Sequence, residues 1–74
     1  MQSFSPVQLR AKRDEAGYSR PLLAQKVMLA ASTVKDYETG RRIPSAAALG
    51  RLATALNCAV GDFYVQPSAD SDVA

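Results

Sequence analysis

The sequence contains no histidine and no tryptophan, and it has a single cysteine, Cys58. Without histidine there is no His-based catalytic triad, no imidazole proton shuttle and no histidine metal site. One thiol supports neither an internal disulfide nor a multi-thiolate zinc site. No run approaches the roughly 18 apolar residues of a membrane span. The opening MQSFSP also lacks the basic stretch and apolar core of a secretory signal. No membrane association is therefore expected, and a reduced cytoplasm is the expected compartment. No cofactor and no metal are expected either. With neither a nucleophile–base pair nor a glycine-rich phosphate loop, the chain is not expected to be an enzyme.

What is present fits one small domain. Seventy-four residues, 47% of them hydrophobic and 22% charged, argue against wholesale disorder. A domain of this size without disulfide or metal depends on tight helix packing or on oligomerisation. The charge is unevenly placed. Residues 66–74 hold Asp70 and Asp72 and no base, so residues 1–65 carry nine bases against five acids. The reading is a mildly basic domain over 1–65 with a flexible acidic tail over 66–74, and the basic body favours an anionic partner.

Helix boundaries follow from caps and periodicity. Ser5 is a good N-cap, Pro6 suits the first helical position, and Gln8 completes a capping box. Phe4 and Leu9 form a hydrophobic staple around that cap, and Gly17 ends the first helix after Ala16. Its inward stripe is Leu9, Lys12, Arg13 and Ala16. The same pattern recurs with Tyr18, Ser19 and Leu23, opening a second helix over about Arg20 to Val27. A third helix runs from Ala31 to Thr39 and stops at Gly40. Pro44 blocks continuation, and Ser45 caps a fourth helix from Ala46 to Leu56. There Leu49, Leu52, Ala53 and Leu56 make an apolar stripe at helical spacing. Asn57 is its stop, and Val60 to Val65 adds a short fifth turn. No segment alternates with a period of two, so no strand is expected. Phe63 and Tyr37 are read as core, and Cys58 as a small apolar group at the edge of the fourth helix.

The informative stretch is Ser19 to Pro44, SRPLLAQKVMLAASTVKDYETGRRIP. Leu23, Ala24 and Val27 of the second helix face Val34 and Tyr37 of the third, and the small Ala24 permits their close approach. With Val34 set inward, Ser32, Lys35, Asp36 and Thr39 point outward, flanked by Ala31 and Thr33.

This stretch resembles the Cro/repressor class of helix-turn-helix proteins, the XRE family. The resemblance is carried by Ser19, Leu23-Ala24, Thr33-Val34, Glu38, Gly40, Arg41-Arg42 and Pro44, and extends over about Leu9 to Tyr64. It implies an all-α, compact five-helix lambda-repressor-like domain. It further implies a transcriptional regulator, a repressor binding double-stranded DNA at a pseudo-palindromic operator as a homodimer. The third helix would enter the major groove. Ala31, Ser32, Thr33, Lys35 and Asp36 would then read bases. Ser19, Arg20, Thr39, Arg41 and Arg42 would hold phosphates.

Arg13 occupies an apolar slot, and the resemblance implies a structural salt bridge to Glu38. Val60, Tyr64 and Val65 form a candidate dimer seam. The turn departs from the family pattern at two points. Met28 stands where a glycine with positive φ is usual, and Ala30 where a Ser or Thr cap is usual. Each change costs on the order of 1 kcal/mol. The competing reading is a protein-interaction module, such as an antitoxin or adaptor subunit, built on the same fold.

Overall fold

A computed structural model describes residues 3–65. The acidic tail expected at 66–74 lies outside the described residues. The elements in chain order are strand β1 (Ser3–Phe4), helices α1 (Pro6–Ala16), α2 (Arg20–Lys26), α3 (Ala31–Thr39) and α4 (Ala46–Leu56), a 3₁₀ turn (Val60–Phe63), and strand β2 (Tyr64–Val65).

Local chemistry sets each helix start. The hydroxyls of Ser5, Ser19 and Ser45 accept the backbone N–H of Gln8, Leu22 and Ala48, each at 3.2 Å. Ala30 opens α3 with no side-chain bond. The helix ends are as uniform. After α1, the N–H of Tyr18 reaches the Arg13 carbonyl and that of Gly17 reaches Asp14, with Gly17 left-handed at φ 77°. After α2, Leu29 reaches Ala24 and Met28 reaches Gln25, with Met28 at φ 60°. After α4, Cys58 reaches Ala53 and Asn57 reaches Thr54, with Asn57 at φ 55°. All three are Schellman closures.

The core lies where the helices cross. Leu9, Leu23, Val27, Val34, Leu52 and Phe63 are its fully buried side chains, joined by Ala24, Tyr37, Leu49, Ala53 and Leu56. Side chains from all four α-helices and the terminal turn thus share one cluster, and α3 is pinned by Val34 and Tyr37 alone among its apolar residues.

Four expectations are corrected. The fifth helix is only a 3₁₀ turn. It is opened by the Asp62 carboxylate accepting the Ala59 N–H at 3.1 Å, and then the chain enters β2. Strands do occur: β1 and β2 pair antiparallel, Ser3 opposite Val65 and Phe4 opposite Tyr64. Two residues per strand are too few to show alternation. The pair is supported instead by Ser5 N–H donating to the Phe63 carbonyl at 2.7 Å and by edge-to-face packing of Phe4 on Tyr64. Helix α2 stops at Lys26, because Val27 is already the cap of the Schellman turn. Finally, Ala16 is exposed at the last position of α1, where the chain turns away at Gly17.

Candidate nucleic-acid interface

Helix α3 buries one side and leaves the other open. Val34 and Tyr37 enter the core, and the Glu38 carboxylate is fully enclosed. Ala31, Ser32, Lys35 and Thr39 are exposed, while Thr33 and Asp36 are half-buried at the margins. The residues read as base contacts therefore share one surface, small at the helix start and charged near its end. Because the large apolar side chains of α3 are only Val34 and Tyr37, both buried, nothing larger than the Ala31 methyl on that surface asks to be covered.

The phosphate candidates border this surface at two places. Ser19 is the exposed N-cap of α2, its oxygen accepting Leu22 N–H and its hydroxyl hydrogen remaining available. Arg41 and Arg42, both exposed, follow α3 in the loop that begins at left-handed Gly40. Their backbone N–H groups donate to the Asp36 carbonyl at 2.9 and 3.3 Å, which folds the loop back against the helix end. The Thr39 hydroxyl donates to the same carbonyl at 3.4 Å.

Beneath the surface lies a buried ionic knot. Arg13 donates to Glu38 through Nε at 2.6 Å and through its second guanidinium nitrogen at 3.1 Å, a two-point clasp between α1 and α3. Its remaining terminal nitrogen donates to the Tyr18 carbonyl at 2.7 Å. Arg20 Nε also donates to Glu38, at 2.9 Å, tying in the start of α2. Burial pushes the Glu38 carboxyl up. The hydrogen bonds and charges of Arg13 and Arg20 outweigh that effect and hold it below its ordinary value. The same hydrogen bond to Glu38 raises Arg13, against the opposing pull of burial.

Two partnerships escaped the sequence. Arg20, read as a phosphate contact, has its Nε committed to Glu38 and its side chain one-third exposed. Asp36 and Arg42, assigned to bases and to phosphate, are paired with each other at 3.4 Å. Neither is signalled by spacing, since the first crosses from α2 to α3 and the second crosses the Gly40 turn.

The candidate dimer residues are less uniform. Val60 is 38% exposed, whereas Tyr64 is half-buried against Phe4, and of Val65 only the main chain is described. Lys12 carries its ammonium out to within 3.8 Å of Glu15. Cys58 is half-buried, and its thiol is pushed up by burial and by the nearby Asp62 charge. Among the described residues no group of three His, Cys, Asp or Glu side chains is placed to hold a metal, and no helix is long and apolar enough to cross a membrane.

Comparison with known proteins decides the family. The helix-turn-helix family model matches residues 9–63, which is most of the chain. The chain belongs to the helix-turn-helix family. Within it the likeness is to the Cro/repressor, or XRE, type, and the family and fold are those of DNA-binding transcriptional regulators. The restriction-modification controller protein C.AhdI from Aeromonas hydrophila is similar at 33% sequence identity and a TM-score of 0.75. That match covers 78% of this chain and 88% of that one. The clp gene regulator ClgR from C. glutamicum is similar at 26% identity and a TM-score of 0.73, covering 78% and 75% of the two chains. The P22 c2 repressor, solved in complex with a synthetic operator, shares the fold. It has 20% identity and a TM-score of 0.75, covering 80% of this chain and 89% of that one. No curated protein sequence matches the chain.

Proposed function

We propose that this helix-turn-helix protein is a transcriptional repressor that binds a pseudo-palindromic DNA operator as a homodimer. Helix α3 lies in the major groove in this reading. Ala31, Ser32, Thr33, Lys35 and Asp36 face base edges, with Ser19, Thr39, Arg41 and Arg42 on phosphates. One observation carries it: the open face of α3 has no large apolar side chain to bury, its only apolar residue being the small Ala31, and is bordered by a capped helix start and an exposed Arg–Arg loop. A helix fits the major groove, and free backbone N–H groups at a helix N-terminus favour phosphate.

The reader set is sparse, which bears on the assembly. Lys35 reaches guanine acceptors, Asp36 accepts from an exocyclic amine, and Ala31 and the Thr33 methyl meet a thymine methyl. Such a face discriminates few positions, so two copies on half-sites about one helical turn apart are required for useful affinity. The exposed Val60 beside Tyr64 is the surface proposed for their contact. Repression then follows by occlusion of a site that polymerase or an activator must occupy. Such a regulator works in the cytoplasm and associates with the nucleoid when bound.

The test is selection of bound duplexes from a random-sequence pool at near-physiological salt. An enriched inverted repeat with half-sites about one turn apart is the expected result. Binding that is lost as salt rises, with no enriched sequence, overturns sequence-specific regulation. It would favour instead the adaptor or antitoxin reading, for which Ile43, 78% exposed in the loop after α3, is the first contact to examine.

A further inference from the structure

Asp36 is tied twice to the loop that follows it. Its carbonyl oxygen accepts the backbone N–H groups of Gly40, Arg41 and Arg42 and the Thr39 hydroxyl. Its carboxylate oxygen Oδ2 lies 3.4 Å from Arg42 Nε. The Arg42 side chain is 65% exposed and that of Asp36 28%. The pair therefore sits at the edge of the open face of α3, beside exposed Lys35 and Thr39. An ion pair this accessible holds weakly, and a phosphate competes well for the guanidinium.

We propose that Asp36 controls discrimination between duplexes by exchanging Arg42 for an amine on a base edge. The inference rests on the reading of α3 as the helix in the major groove. In the free protein Arg42 neutralises Asp36. When the loop meets the DNA backbone, phosphate oxygens take the guanidinium and leave a carboxylate facing a polyanion. Where the sequence places the exocyclic amine of cytosine or adenine opposite Asp36, the carboxylate regains a donor and the exchange is complete. Where it places a carbonyl or ring-nitrogen acceptor there, Asp36 is left without a partner and the complex weakens. Lys35, one residue earlier, keeps the helix end attractive to DNA in both cases. Arg42 thus passes to phosphate on every duplex, and the base opposite Asp36 decides whether the carboxylate left behind is paired.

The Asp36→Asn variant separates the two ties, since it removes the charge and keeps the carbonyl that anchors the loop. Wild type, D36N, R42Q and D36N/R42Q are titrated onto the duplex enriched by wild type and onto an unrelated duplex of equal length. Circular dichroism confirms that all four fold. D36N is expected to bind the unrelated duplex about fivefold tighter and to lower the specificity ratio about tenfold, the scale of one base contact. Selection with D36N is expected to relax one position of the site, where wild type takes cytosine or adenine. In the R42Q background the gain from D36N on unrelated DNA shrinks.

An equal gain with and without Arg42 means simple repulsion and overturns the exchange. So does a D36N protein with unchanged affinities and site preference, while leaving DNA recognition by α3 intact. Wild-type binding without any enriched site also overturns it, because there is then no discrimination to control. A wild-type protein that binds no duplex at low salt removes the functional reading itself, and this inference with it.

Discussion

Met28 closes α2 as Gly17 closes α1: each is the left-handed residue of a Schellman turn, at φ 60° and φ 77° respectively. Glycine tolerates that conformation and a side chain does not, at a cost of about 1–2 kcal/mol. Met28 is 77% exposed, so little burial repays the strain. Met28→Gly is therefore expected to stabilise the domain by about 1 kcal/mol, raising the melting temperature by about 4–8 °C. Thermal melts of the two proteins under one condition check this. A lower melting temperature for M28G would show that the Met28 side chain contributes packing that outweighs its backbone cost.

Glu38 holds three helices through two arginines, and removing it strands Arg13 in the core. Glu38→Gln is expected to cost about 3 kcal/mol, because a buried cation loses its counter-charge. Replacing both buried partners by Met (R13M/E38M) is expected to recover most of that loss, since apolar groups of similar size need no ionic partner. Arg20 is partly exposed and can hydrate once Glu38 is gone. Urea midpoints for the three proteins measure it. A double variant as unstable as E38Q would mean that the ionic knot itself, rather than the filling of its space, holds the helices together.

The depressed Glu38 carboxyl also fixes a sign for acid stability. A carboxyl whose folded value lies below its unfolded value stabilises the fold fully above the unfolded value, near 4.3. That contribution fades as the pH falls through the lower folded value. Wild type is thus expected to lose more stability between pH 6 and pH 3 than R13M/E38M, which has no carboxyl there to protonate. Urea unfolding at several pH values across that range compares them. Parallel losses would mean that Glu38 is not held in its charged form.

Cap chemistry is local, and for that reason the helices could be read from the chain. Ser5, Ser19, Ser45, Gly17, Gly40 and Asn57 act at their own ends of their own helices, as their types require. Met28 and Ala30 were legible too, as the two places where the turn lacks the usual residue. The β1–β2 pair was not legible, because Phe4 and Tyr64 meet only after the whole domain has closed. The open face of α3 followed from setting Val34 inward. The ionic couplings of that region did not. Arg20 and Arg42 each had a function to offer in sequence terms, as cations near a presumed duplex. Only the crossing of α2 on α3 and the turn at Gly40 show that both have carboxylate partners in the protein.

The Arg41–Arg42 loop yields the most direct test of the proposed phosphate grip. Both backbone N–H groups donate to the Asp36 carbonyl, so replacing the side chains leaves the loop anchored. Each phosphate neutralised by a cation contributes about 0.9 to the slope of log affinity against log salt. R41Q/R42Q is accordingly expected to bind every duplex more weakly and to flatten the slope by about 1.8, while the order of preference among duplexes is retained. The distinction from base contact lies in that uniformity. A base-reading side chain, the role proposed for Lys35, is expected to change preference at a defined position when replaced by Ala, whereas a phosphate contact weakens all sequences together. Titrations of wild type and R41Q/R42Q at several salt concentrations, on enriched and unrelated duplexes, measure slope and ratio at once. An unchanged slope would place the loop away from the DNA backbone and transfer the grip to the α2 start at Ser19.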